Sequence, residues 1–299
     1  MGKFLLNQVL FSPFLAQLVV TRRCNLACGY CNEFDHTSNP VPVDILKSRV
    51  DKLKALGTLA VEFTGGEAML HPDLFDLIRY ARGIGIPEVQ MISNAMLFTE
   101  STVESLNASG LQHLQISVDG VRVNDVTVKV LDRLRDKLEI VSRLAKFKVV
   151  MSAVIGSAPP EEVVETVQFA LDHGFEPRVL LLHDGTGQLK LSEENMKLYK
   201  QVQRMMGKHF RKAGDYRSRM MRDGHAEFKC RAGSRYLYID EYGDVHWCSQ
   251  QRDRFSKPLA DYDFEDLRLQ FYTPKGFCSA QCTVGCARSC SKVDWWRSQ

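Results

Sequence analysis

The chain has 299 residues, 44% hydrophobic and 25% charged, which suits one large soluble core or one core with a small appended unit. A net charge of +3, with the basic residues dispersed, lacks the concentrated positive field of a nucleic-acid binder. No run reaches the roughly 18 uninterrupted apolar residues of a membrane span. The apolar start at 4–20 is broken by Asn7, Gln8, Ser12, Pro13 and Gln17 and has no cleavage site. The expectation is a cytoplasmic protein that binds neither nucleic acid nor membrane.

Nine cysteines fall into two groups, Cys24, Cys28 and Cys31, then Cys230, Cys248, Cys278, Cys282, Cys286 and Cys290. Such grouping points to two metal sites rather than a disulfide framework. The first group, C-x3-C-x2-C, follows the β-prone run Leu15–Val20, so a strand delivers three soft ligands to one place. Three thiolates on a four-iron cluster leave one iron open to a small molecule. On the residues alone, zinc with His36 as a fourth ligand is the alternative.

Beyond the loop, apolar spacing predicts a helix over Val43–Leu56 and a strand over Leu59–Thr64 that runs into Gly65-Gly66-Glu67. His71-Pro72-Asp73 opens the next helix, closed by Gly83. Strands follow at Val89–Ile92, ending in Ser93-Asn94, and at His113–Val118, ending in Asp119-Gly120. Two more lie at Val149–Ile155 and Arg178–Leu182, the last ending in His183-Asp184-Gly185. Helices are predicted near 99–108, 127–145, 160–173 and 192–212. Six strand–helix units predict a parallel sheet with helices outside. Ligands of such folds sit at the carboxyl ends of the strands.

Residues 213–229, with Arg217, Arg219, Arg222 and Asp223, read as a linker. A β-hairpin then carries a thiol near each end, Cys230 and Cys248, with Asp240, Glu241, Asp244 and His246 at its turn. The last four cysteines, each four apart, form a helical stripe or wrap a metal from loops.

At Cys24, Cys28, Tyr30, Cys31 and Gly65-Gly66-Glu67 the chain resembles the radical S-adenosylmethionine (SAM) enzymes. The resemblance implies an α/β fold, a partial (β/α)6 barrel over 14–213, and a small C-terminal hairpin/helix domain over 214–299. It implies that Cys24, Cys28 and Cys31 hold a [4Fe-4S] cluster whose open iron binds SAM. Tyr30 would pack on the adenine, and Gly65, Gly66 and Glu67 would meet the amino group. Ser93, Asn94, Ser117 and Asp119 are candidates for SAM or substrate contacts, although turn and cap chemistry favours the same residue types. Val154, on a strand that keeps only the middle of the family's adenine motif, is a further candidate.

Cys230, Gly243 and Cys248 resemble the start of the twitch and SPASM auxiliary-cluster domains. The later spacing, C-x3-C-x3-C-x3-C, departs from the family's. One auxiliary [4Fe-4S] cluster is expected, with Cys230 and Cys248 joined by Cys278 and Cys282, or by Cys286. A second, incompletely ligated cluster and a structural zinc are the alternatives. The implied activity is reductive cleavage of SAM to a 5′-deoxyadenosyl radical that takes a hydrogen atom from substrate, with flavodoxin or ferredoxin as electron donor. Peptide modification is placed ahead of oxidation of a small alcohol or sugar. A non-enzymatic iron–sulfur carrier is the rival of another class. Asp240, Glu241 and His246 are candidate general bases.

Overall fold

The computed structural model describes residues 10–182, 192–207, 215–276 and 278–292. Six parallel strands succeed one another in chain order, β1 (Leu15–Thr21), β2 (Ala60–Gly65), β3 (Glu88–Ser93), β4 (His113–Ser117), β5 (Lys148–Ile155) and β6 (Glu176–Leu181). Between them run α1 (Val43–Ala55), α2 (Leu74–Gly83), α3 (Glu100–Ser109), α4 (Leu131–Leu144) and α5 (Pro160–Asp172), followed by α6 (Glu193–Met206) after β6. The sheet does not close. It continues past β1 into the C-terminal hairpin, in the order β6-β5-β4-β3-β2-β1-β7-β8-β9.

The period-2 pattern explains the layering. One face of the sheet carries Leu18, Val20, Phe63, Met91, Leu114, Ile116 and Met151, all buried against Leu46, Val50, Leu77, Leu134 and Leu138 of the helices. The other face is mixed: Leu15, Val19 and Ala60 pack with Tyr236, Tyr238 and Cys248, and polar residues stand beside them. Gln17 donates to Glu62 at 2.5 Å and Arg178 to Gln115 at 2.5 Å. A closed barrel fills that space with branched apolar side chains; here polar side chains take part of it.

Three expectations change. The segment 213–229 is not an irregular linker, because it contains α7 (Asp215–Asp223), whose Met220 and Met221 are buried, Met221 in the apolar cluster of Val163, Leu198 and Val202. Helix α4 starts four residues later than its periodicity suggests, since the Thr127 hydroxyl and the Lys129 carbonyl are engaged by Asp119. The hairpin β7 (Tyr236–Ile239) and β8 (Asp244–His246) also joins the barrel's own sheet, with β7 parallel to β1 and Gln17 opposite Tyr238. A two-residue β9 (Lys257–Pro258), α8 (Phe264–Tyr272) and α9 (Gly285–Lys292) complete the described chain. His183, Asp184 and Gly185 lie outside the described residues. Among the described residues, no helix is long and apolar enough to cross a membrane.

Candidate active site

β1 ends at Thr21, and the loop bearing Cys24, Cys28 and Cys31 is pinned by backbone bonds. Cys24 N–H donates to Asp35 O (2.9 Å), Asp35 N–H to Arg22 O (2.9 Å) and Gly29 N–H to Val126 O (3.1 Å). The end of β2 crosses the stem of this loop. Gly66 N–H donates to Thr21 O and Glu67 N–H to Arg23 O, each at 2.9 Å. A Cβ on Gly65 would stand 2.0 Å from Thr21 O, and one on Gly66 2.3 Å from Arg22 O. The two glycines are therefore required by the cluster loop's own backbone. Burial pushes the Cys24 and Cys31 thiols up; Cys31 and Cys28 raise Cys24 further, as Cys28 does Cys31, so the three stand within electrostatic range. His36, exposed, meets the Cys24 carbonyl through Nδ1 at 2.9 Å.

Glu67 is 2% exposed and ties three elements together. Its Oε1 accepts from Met69 N–H (3.0 Å) and Ser93 Oγ (2.7 Å), and its Oε2 from Asn94 N–H (2.7 Å). Burial pushes this carboxyl up, while those bonds and Lys129 pull it down. Asn94 in turn donates through Nδ2 to Asn25 Oδ1 at 2.8 Å and toward the Cys24 sulfur at 3.8 Å. The next residue, Ala95, is held at φ 61°, a left-handed backbone that costs a non-glycine residue about 1–2 kcal/mol. Ser93 and Asn94 thus join the cluster loop to β3 through Glu67.

On the opposite side stands a residue that sequence reasoning did not single out, Lys129. The residue is half-buried; its ammonium meets the Tyr30 hydroxyl and lies 3.5 Å from Asp119. Burial works against its charge, but Asp119, Tyr30 and Cys28 more than restore it. Tyr30 Oη and Thr127 Oγ1 both donate to Asp119 Oδ2 at 2.8 Å. Among the described residues Asp119 Oδ1 has no hydrogen-bond partner, although the residue is 0% exposed. The one clue to Lys129 in the sequence is a lysine set between Val128 and Val130, where a solvated charge is out of place. Ser117 and Val154 lie near the ends of β4 and β5, Ser117 half-buried and Val154 buried.

In the C-terminal region Cys248, buried, is raised by burial and then by Cys282, Cys230 and Cys278; Cys282 is pushed up to about 12 by burial, Cys230 and Cys278. Cys230, Cys248, Cys278 and Cys282 are therefore a set within electrostatic range of one another. Arg288 fastens it, donating to Cys282 O at 2.6 Å, Ala226 O at 2.7 Å and Ala280 O at 3.2 Å. Cys286 and Cys290, one turn apart on α9, pack with Cys230, Cys248 and Tyr236 in one cluster. Burial and then Glu62 push Cys286 up to about 12, and Gln17 Nε2 lies 4.0 Å from its sulfur. Cys290 is raised by burial, Cys286 and Glu62.

The hairpin-turn candidates have structural partners. Asp240 Oδ1 accepts from the N–H groups of Tyr242, Gly243 and Asp244, and its Oδ2 meets His246 Nε2 at 2.8 Å. The other ring nitrogen of His246 lies 2.9 Å from Phe255 O. Glu241 pairs with Arg22 at 3.0 Å. Arg22 also holds Glu33 at 2.8 Å, and Glu33 accepts from Tyr238 on β7. This pair of bonds links the cluster loop to the hairpin.

A strand-end loop of three thiols at the open end of a parallel α/β sheet is a donor set that suits an iron–sulfur cluster. Residues 18–197, more than half of the chain, match the model of the radical SAM superfamily, and the chain belongs to that family of enzymes, which bind a [4Fe-4S] cluster and SAM. The site suits these groups, with soft donors in the loop and an orphaned, buried Asp119 oxygen able to accept from a hydroxyl. The PqqA peptide cyclase of Bradyrhizobium diazoefficiens is 29% identical over 167 residues, 54% of this chain and 44% of that protein. The chain spans less than half the length of the first curated relatives it matches. Its fold is similar to SuiB of Streptococcus suis bound to precursor peptide SuiA (TM-score 0.69, 18% identity, 97% of this chain and 73% of SuiB). It is also similar to anSMEcpe with bound AdoMet and a peptide (TM-score 0.61, 16% identity, 90% and 83%).

Proposed function

We propose that this protein is a peptide-modifying radical SAM enzyme with one auxiliary four-iron cluster. The observation that carries the proposal is the placing of its thiols: three in a strand-end loop beside Glu67, and six in a C-terminal region whose strand β7 pairs with β1. Cys24, Cys28 and Cys31 would hold the barrel's cluster, and Cys230, Cys248, Cys278 and Cys282 would close the auxiliary one. When bound, SAM and its cluster supply a 5′-deoxyadenosyl radical that takes a hydrogen atom from substrate.

The chain's own residues provide position. Glu67, held by Asn94, Met69 and Ser93, presents its remaining acceptor capacity to an amino group. Asp119 Oδ1 accepts from a ribose hydroxyl, Tyr30 abuts the adenine, and the surface around Ser117 and Val154 completes the pocket. The partly polar inner face holds the substrate. A peptide substrate is supported by the names of the curated relative and of the two structural neighbours. A flavodoxin or ferredoxin would supply the electron. A mere electron carrier has no use for a carboxylate so placed.

Anaerobically reconstituted protein with a strong reductant should convert SAM to 5′-deoxyadenosine and methionine, read by chromatography. Glu67→Ala should weaken SAM binding about tenfold or more, the loss of one charge-assisted hydrogen bond of roughly 1.5–3 kcal/mol. Because Glu67 also braces β3, iron content is measured alongside. Normal SAM affinity with full iron in that variant removes the assignment.

A further inference from the structure

Lys129 is a half-buried cation beside a loop of thiols, and the binding roles above leave it without a task. Its ammonium is within electrostatic range of Cys28, Cys31 and Glu67. It is held there from two sides. The Tyr30 hydroxyl meets it directly and the Tyr30 ring centroid lies 4.9 Å away, so the aromatic residue of the cluster loop is itself its anchor. Asp119 stands behind it at 3.5 Å, and Thr127 and Tyr30 fix that carboxylate. The backbone agrees, since Asp119 N–H donates to Lys129 O at 2.8 Å and locks the stretch before α4.

An iron–sulfur cluster gains a negative charge when reduced, and its potential follows the charges and hydrogen bonds around it. A fixed positive charge beside the ligand loop favours the reduced form, all the more where little water screens it. We infer that Lys129 is a positioning residue for electron entry, an ammonium held by Tyr30 and Asp119 beside the loop of Cys28 and Cys31 that makes the barrel's cluster easier to reduce. The inference rests on the cluster assignment made above and adds a role to it. Asp119 offsets part of the charge, so the two residues act in opposite directions. Removing the cation leaves the carboxylate uncompensated, and removing the carboxylate leaves the cation at full effect.

The test is a redox titration of the SAM-free, reconstituted full chain, followed by electron paramagnetic resonance on the signal that SAM perturbs, which separates it from any auxiliary cluster. At the wild-type midpoint, Lys129→Met should lower the reduced-to-oxidised ratio at least tenfold, a shift of about 59 mV for a one-electron couple. Lys129→Arg should keep the ratio within about threefold. Asp119→Asn should raise it, and this near-isosteric change decides the matter if Lys129→Met loses its iron. A wild-type cluster whose ratio ignores both Lys129→Met and Asp119→Asn overturns the role of Lys129 alone. Wild-type protein that takes up no iron overturns the functional reading beneath it.

Discussion

The two thiol regions of this molecule differ in how they are held. The loop of Cys24, Cys28 and Cys31 hangs from a strand end, braced by backbone bonds to Asp35 and Val126 and by the Glu67 bridge to β3. Around it stand hydrogen-bonding groups with capacity left over, above all the Asp119 oxygen without a partner among the described residues. The C-terminal group is the reverse. Cys230 and Cys248 lie on either side of the hairpin and Cys278 and Cys282 on either side of one 3-10 turn, in a region fastened by Arg288 and by the buried Lys275, whose ammonium donates to Gln270 O at 2.8 Å and Thr273 O at 3.1 Å. Three ligands with spare polar groups suit a cluster that takes a second molecule. Four ligands with cations already committed suit one that is closed.

The largest effect expected breaks the first side of that comparison. Replacing Cys24, Cys28 and Cys31 together by Ala should remove about half of roughly eight bound irons, the content of two four-iron clusters, and abolish SAM cleavage. Iron analysis beside a SAM-cleavage assay reads both. Retained cleavage would mean that the loop is not where SAM meets iron.

The next breaks the second side. Cys230→Ala with Cys248→Ala should also cost about half of the iron, while SAM cleavage without substrate persists and product formation stops. The two regions are not mechanically separate, because β7 pairs with β1 and Arg22 bridges Glu33 to Glu241. Circular dichroism and melting must therefore accompany the assay. A folded double variant that loses SAM cleavage would show that the C-terminal thiols serve the barrel's chemistry directly.

Much of this was legible in the sequence, and what was not has physical causes. The six strand–helix units declare themselves because helices at period 3.6 and strands at period 2 each bury one apolar face. The thiol loop and Gly65-Gly66-Glu67 are local in sequence, so spacing reveals them. Lys129 was hidden because its meaning depends on Tyr30 and Asp119, residues brought to it by folding. The β7–β1 pairing was hidden for the same reason, since a hairpin reads alike whether it stands alone or extends a distant sheet. The turn candidates Asp240 and His246 looked available because a sequence shows a carboxylate and an imidazole but not the three N–H groups that one caps or the carbonyl that the other meets.

The smallest effect is the one that sharpens the comparison most. Four evenly spaced cysteines offer no reason in sequence to prefer any pair, yet the chain splits them by secondary structure. Cys278 and Cys282 flank a short 3-10 turn, Ser279–Gln281, within electrostatic range of Cys230, whereas Cys286 and Cys290 sit on α9, packed with Tyr236 and within electrostatic range of Glu62. If four thiols close the auxiliary cluster, these two are not among them. Cys286→Ala and Cys290→Ala should then leave iron content unchanged and cost only the packing of a buried sulfur, about 1 kcal/mol each in denaturant unfolding. Cys278→Ala or Cys282→Ala should instead strip the auxiliary iron. Iron analysis of the four single variants gives the answer. Two indifferent and two essential positions in that order uphold the division, and iron loss at Cys286 or Cys290 would mean that α9 turns its thiols from Glu62 to the metal when the cluster is built.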